Sequence, residues 1–230
     1  QLKFSLGLLT SVKGICKLYL KSIAPEFALY ITPIHVDPEA YAFPIASPYD
    51  YAQDLQKETG CPFATLGMPE EANAMNEEVI DEDAFLLHAD TLMQEREKMF
   101  NNALSKFKEG ILACVFDTTD RVQHMFWCFM DKSHPFCNEK MAEKYGVVIA
   151  SYYRRMDKIV AEMMKKISDD TLLLICSDHG FSSLKKEVHL NAWLVQNGFM
   201  TLRAGQTECQ GLFDNVQWSG TKAYAVGFNS

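Results

Sequence analysis

The sequence predicts an α/β fold with a central, mostly parallel sheet, and three stretches carry that prediction. Residues 111–116 (ILACVF) and 172–176 (LLLIC) are apolar runs without polar alternation, the pattern of strands covered on both faces. Between them, Tyr145, Val148, Ile149, Tyr152, Met156, Ile159, Val160, Met163 and Ile167 fall at helical spacing within residues 141–167. Strand, helix and strand in that order form a right-handed βαβ crossover, which brings both strand tips to one edge of the sheet.

The remaining elements follow in order. Residues 1–34 carry strand signals, with β-prone runs at 17–21 and 27–31 interrupted by Pro25 and Pro33. Prolines at 33, 38, 44 and 48 make residues 32–48 an irregular connector. A short helix is expected over 49–60, ended by Gly60, and then a loop over 61–82 with turn signals around Gly67 and Pro69. Asp81 or Asp83 caps a long helix reaching about residue 108, with Phe85, Leu86, Ala89, Leu92, Met93, Met99, Ala103, Leu104 and Phe107 on its inner face. Another short helix is expected over 188–197, and a further strand over 221–227. The chain thus divides into a β-prone, proline-rich insertion or cap portion, 1–82, and an α/β metal-binding core portion, 83–230.

Composition narrows the function. Apolar residues make up 48% and charged residues 23%, ordinary for a globular domain. The formal net charge of −8 argues against a nucleic-acid binder or a binder of anionic membranes. A phosphorylated substrate stays open, because bound cations invert the local field. No apolar run approaches the roughly 20 residues of a membrane-spanning helix. Seven cysteines, an odd number without CxxC spacing, read as reduced thiols and favour a cytoplasmic setting. The start at Gln1 and the stop at Ser230, just after a strand-like stretch, lead us to expect a fragment of a longer protein, incomplete at its N-terminus.

The chemistry concentrates at the two expected strand tips. Asp178 and His179 follow the run at 172–176, where ligands bind beyond the carboxyl ends of strands. Asp120 and His124 follow the run at 111–116 and share a face if that segment is helical. A carboxylate and an imidazole so paired suit zinc or manganese. The alternative is that Asp120 caps a helix while His124 packs beside Phe126 and Trp127. Convergence of both pairs on one sheet edge favours metal, because Asp117, Asp120 and Asp178 would repel one another without a cation between them. His189, ten residues past His179, is either a further imidazole ligand or a surface histidine opening a helix. His35, His88 and His134 have no acidic neighbour at ligand spacing.

SDHGF, the preceding FDTTDRVQHMFW, the downstream LNAWLVQNGFM and VQWSGTKAYAVGF, and the proline-rich YITPIHVDPEAYAFPIASPYDYA together resemble the alkaline phosphatase superfamily. The closer resemblance is to its type I phosphodiesterase/nucleotide pyrophosphatase branch. It covers essentially the whole chain. It implies an α/β sandwich with a central sheet and two divalent metal ions, most often zinc, with manganese the other candidate. By position, Asp120 and His124 would bind one ion and Asp178 and His179 the other. His189 would complete the first ion's shell, unless a histidine beyond Ser230 does so. The resemblance also implies a threonine or serine nucleophile acting on a small phosphorylated or nucleotide-like substrate. Thr32 and Thr65 lack the expected strand–turn–helix setting, so the nucleophile is expected outside this chain, leaving residues 1–230 alone with little turnover. Two other outcomes fit the same residues: a phosphomutase of the same superfamily, and a non-catalytic domain stabilised by metal.

Overall fold

A computed structural model describes residues 2–6, 10–67, 69–207 and 213–226. The chain forms two compact units, residues 1–183 and 184–230.

The first unit opens with antiparallel strands. β1 (Leu2–Leu6) pairs with β2 (Thr10–Ile15), and β2 pairs in turn with the short β5 (His35–Val36). β3 (Leu18–Ser22) and β4 (Ala28–Ile31) form a separate hairpin with an irregularity between Leu20 and Ser22. Six helices follow: α1 (Tyr51–Thr59), α2 (Ala72–Asn76), α3 (Glu82–Lys106), α4 (Thr118–Met130), α5 (Glu139–Tyr145) and α6 (Val148–Met164). Gly60 stops α1 in the left-handed conformation, with φ of 69°. Asp81 starts α3, its carboxylate accepting the Ala84 amide at 2.9 Å.

The main core lies among the helices. Phe85 and Ala89 of α3, Val122, Phe126 and Phe129 of α4, Tyr145 of α5, and Ile149 and Tyr152 of α6 are all buried there. Ala74 of α2 and Ile80 join them, so the helices on either side of residue 82 share one core. Tyr19 and Tyr30 of the β3–β4 hairpin pack against its edge. A smaller cluster joins Tyr41, Ala52, Leu55 and Phe63.

The helix expected over 141–167 is broken into α5 and α6 at Gly146 and Val147. A Cβ at Gly146 would lie 2.5 Å from the Ala142 carbonyl oxygen and 3.1 Å from that of Phe129 on α4. The junction therefore sits against the α4 backbone, a fit the apolar periodicity does not express. Gly146→Ala is expected to destabilise the protein by about 1–3 kcal/mol, the usual cost of overpacking, read as a lowered urea midpoint.

The central parallel sheet is not found among the described residues, where both sheets are antiparallel. Residues 111–116 and 172–176 carry no ladder there, and Ile111, Val115, Leu172, Leu174 and Ile175 stand exposed. Strand character needs a hydrogen-bonding neighbour as well as an apolar run, and no described strand lies beside either segment. The structure also adds α2, inside what reads as a loop.

In the second unit, α7 (Leu190–Gln196) is followed by a bridge between Leu202 and Val216 and a single 3₁₀ turn at Trp218–Gly220. Phe213, Trp218 and Tyr224 meet edge to face with ring centroids 5.4 Å apart. The strand expected over 221–227 is absent over 221–226; Gly227 lies outside the described residues. Instead, the Asn191 side chain accepts the Ala225 amide at 2.7 Å and donates to its carbonyl at 2.9 Å. One side-chain amide thus takes both backbone bonds that a neighbouring strand would otherwise make.

The six described cysteines are free; Cys209 lies outside the described residues. No helix among the described residues is long and apolar enough to cross a membrane.

Candidate metal centre

α4 carries the first candidate pair. Asp117 occupies its N-cap position without a capping bond from its side chain, and its carboxylate instead lies 3.6 Å from the Arg96 guanidinium of α3. Asp120 falls in the first turn and His124 one turn on, with His124 Nε2 3.4 Å from Asp120 Oδ1. His124 therefore faces outward beside Asp120, while Phe126 and Phe129 fill the core.

The segment after residue 176 meets the same helix face. His179 Nε2 lies 3.5 Å from Asp120 Oδ1, the atom that His124 also faces. Asp178 stands beside His179, its Oδ1 accepting the His179 amide at 3.1 Å, its side chain turned almost wholly to solvent. Asp120, His124 and His179 are thus brought together, and Asp178 stands at their rim. His189 occupies the N-cap position of α7 in the second unit without a side-chain capping bond, its Nε2 3.9 Å from Glu187 Oε2.

Asp120 Oδ1 is the informative atom. It is buried and lacks a hydrogen-bond partner, although two imidazole nitrogens face it. Two donors sharing one tetrahedral zinc, each about 2.0–2.1 Å from it, stand about 3.3 Å from each other. The observed 3.4 Å between Asp120 and His124, the pair assigned to one ion, lies close to that spacing. A hard oxygen with two imidazoles is also a donor set that zinc and manganese accept. Asp120, His124 and His179 thus offer donor types that suit a divalent cation. They are not drawn into a finished cage: no group of three or more His, Cys, Asp and Glu side chains among the described residues is closed enough to hold an ion as it stands.

Sequence reasoning gave Phe181, Ser183, Trp127 and Asp131 no role at this centre. The Phe181 ring lies edge-on to His124 at 4.9 Å and to His179 at 5.4 Å, and stacks on Trp127 at 5.8 Å. Trp127 Nε1 donates to Ser183 Oγ at 3.0 Å, and that hydroxyl donates in turn to Asp131. The signal was partly visible, since Phe181 and Trp127 sit inside the two motifs that contain the ligand pairs.

Glu70 supports the start of α4 from the loop before α2. It is buried, and its Oε1 accepts the Thr118 hydroxyl at 2.7 Å, while Oε2 is buried without a partner. Burial pushes its acidity toward the protonated form, against the opposing pull of the Thr118 bond. A carboxyl raised in the folded state contributes most below its unfolded value, near 4.3, and that stability is lost as pH rises through the folded value. Glu70→Gln is therefore expected to raise stability at pH 7.5 by about 1–2 kcal/mol and to change little at pH 4, measured by urea unfolding at both pH values.

The family model for Type I phosphodiesterase / nucleotide pyrophosphatase matches residues 36–225. The chain belongs to that family, a hydrolase family that acts on nucleotide and phosphodiester substrates and generally uses divalent metals. Membership implies an α/β architecture of the alkaline phosphatase kind. Neither the curated proteins nor the solved structures gave a match.

Proposed function

We propose that this protein is a metal-dependent hydrolase of phosphodiester or nucleotide pyrophosphate bonds. Two divalent cations, zinc or manganese, would be held by Asp120, His124, Asp178, His179 and His189. The observation that supports this reading is the buried Asp120 Oδ1, unpartnered between two imidazole nitrogens at 3.4 and 3.5 Å. Such an oxygen is costly to bury unpaired, and the Arg121 guanidinium beside this carboxylate lies 3.4 Å from the other oxygen, Oδ2.

When bound, such ions polarise a phosphoryl oxygen and stabilise the charge of an in-line displacement. The chain's own residues hold and orient. Asp120 is the ligand shared in space by the two pairs, His124 and His179 flank it, and Asp178 adds a second carboxylate from the rim. His189 follows by sequence order as the third imidazole. The attacking hydroxyl would be a threonine or serine outside residues 1–230. Thr32 and Thr65 are bound into the fold: Thr32 Oγ1 accepts the Lys17 amide at 2.9 Å, and Thr65 Oγ1 donates to the Val36 carbonyl at 2.9 Å.

The test uses the full-length protein, with elemental analysis and hydrolysis of bis-p-nitrophenyl phosphate before and after chelation. Expected are bound zinc or manganese and an activity lost on chelation and restored by either ion. Full activity in chelator would overturn the proposal. Isomerisation of a phosphosugar in place of hydrolysis would point to a mutase, and a lowered melting temperature without any activity to a metal-stabilised domain.

A further inference from the structure

The two candidate ligand pairs come from segments more than 50 residues apart, and something must set the distance between them. Among the described residues, no backbone ladder joins residues 177–183 to another segment. Side chains make the connection instead. His179 faces Asp120 and His124, Phe181 lies against His124 and Trp127, and Ser183 sits between Trp127 and Asp131. Residues 179, 181 and 183 thus step along α4 in the direction of the helix. Gly180 and Ser182, between them, are exposed.

A two-residue period is that of an extended chain, in which alternate side chains face one side. Four steps of extended chain cover about 13 Å, and the seven steps from His124 to Asp131, the C-cap of α4, cover about 10 Å. The strides are commensurate, so three side chains meet three successive stations on the helix.

We infer that Ser183 and Phe181 are positioning residues, forming with Trp127 and Asp131 a clamp that fixes the Asp178–His179 segment on α4. The inference rests on the metal-centre reading above. Ser183 is the anchor, since its hydroxyl accepts from one side chain of the helix end and donates to another. Asp131 is held in place to receive it, because its other oxygen accepts both the Ser133 amide and the Ser133 hydroxyl at 2.8 Å. Phe181 is the spacer: its ring fills the angle between the two imidazoles, whose centroids stand 6.4 Å apart. Partners behind a ligand of this kind commonly set metal affinity by about 10- to 100-fold.

The experiment compares Ser183→Ala, Ser183→Thr, Trp127→Phe and Asp120→Ala in the full-length protein. Circular dichroism checks that each is folded. The metal-free proteins are examined through the imidazole ¹H–¹³C resonances of His179 and His124, and zinc affinity is measured by competition with a chromophoric chelator. In Ser183→Ala the His179 resonances should move toward those of an unstructured histidine, and zinc affinity should fall about 10-fold. Trp127→Phe, which keeps a stacking ring but loses the N–H donor, should act in the same direction. Ser183→Thr should restore both readouts. Unmoved His179 resonances in Ser183→Ala would overturn the clamp. Moved resonances with unchanged zinc affinity, alongside a loss of affinity in Asp120→Ala, would overturn the positioning role while leaving the metal centre standing. Wild-type zinc binding in Asp120→Ala would remove the metal centre itself, and the positioning role with it.

Discussion

Replacing Asp120 by alanine in the full-length protein should reduce phosphodiester hydrolysis more than about 100-fold and remove bound metal. Loss of a group behind a metal ligand already costs about 10- to 100-fold, and Asp120 is proposed as a ligand itself. Its buried Oδ1 faces both His124 and His179, so both pairs lose their common oxygen at once. The substitution also distinguishes the metal centre from a simple ion pair. If Asp120 served only as counter-ion to a protonated imidazole, Asp120→Asn would leave metal content untouched. Elemental analysis of Asp120→Asn and Asp120→Ala, with the rate on bis-p-nitrophenyl phosphate, separates the two; retained metal and retained rate would defeat the assignment.

The second large effect is acid lability caused by His88. This histidine lies on α3, with Nδ1 buried and unpartnered. Burial, helped by the positive charge of Lys17 and by His35, holds its pKa down to about 4. Lys17 is itself paired with the Glu95 carboxylate, which also accepts the Ala64 amide at 3.0 Å. A depressed folded value means that the unfolded chain takes up the proton first. Stability is then fully present above the unfolded value of about 6.5 and is lost as pH falls toward 4. The loss amounts to roughly 3 kcal/mol from this one residue, a large part of a typical folding free energy. His35 acts in the same sense, because burial lowers its pKa and its Nδ1 accepts the Thr65 and Leu66 amides at 3.2 and 3.3 Å. Glu70 and Glu71 act in the opposite sense, since burial raises both. His88→Leu should therefore flatten the fall in unfolding free energy between pH 6.5 and 4 by roughly 3 kcal/mol, measured in urea titrations at half-unit pH steps. An unchanged slope would show that His88 takes no part.

What could be read from the sequence differed between helices and sheet for a physical reason. A helix satisfies its backbone within itself, so Asp81, Gly60 and the apolar spacing of residues 85–104 were enough to locate α1 and α3. A strand depends on a neighbour. The runs at 111–116 and 172–176 are strand-like in composition and carry no ladder among the described residues. Gly146 shows the same dependence inside a helical pattern, where the approach of α4 ends α5. At the centre, residue type and motif spacing pointed to Asp120, His124, Asp178 and His179. The contributions of Phe181, Ser183 and Asp131 depend on which side chains meet across about 50 residues, which local pattern cannot express. His88 has no acidic neighbour at ligand spacing, and it is its burial that makes it matter.

The alternation along residues 179–183 has a consequence for how this segment can diverge among descendants of the same gene. Gly180 has no atom within 4 Å of where a Cβ would stand, and Ser182 is exposed, so exchange of either side chain should be tolerated. Insertion or deletion of one residue between His179 and Ser183 is a different matter. It would turn every side chain on one flank to the opposite side, presenting the wrong residues to α4. The segment is thus constrained by parity: substitution is tolerated at every second place, while its length is held by the spacing of the stations on α4 that its side chains meet.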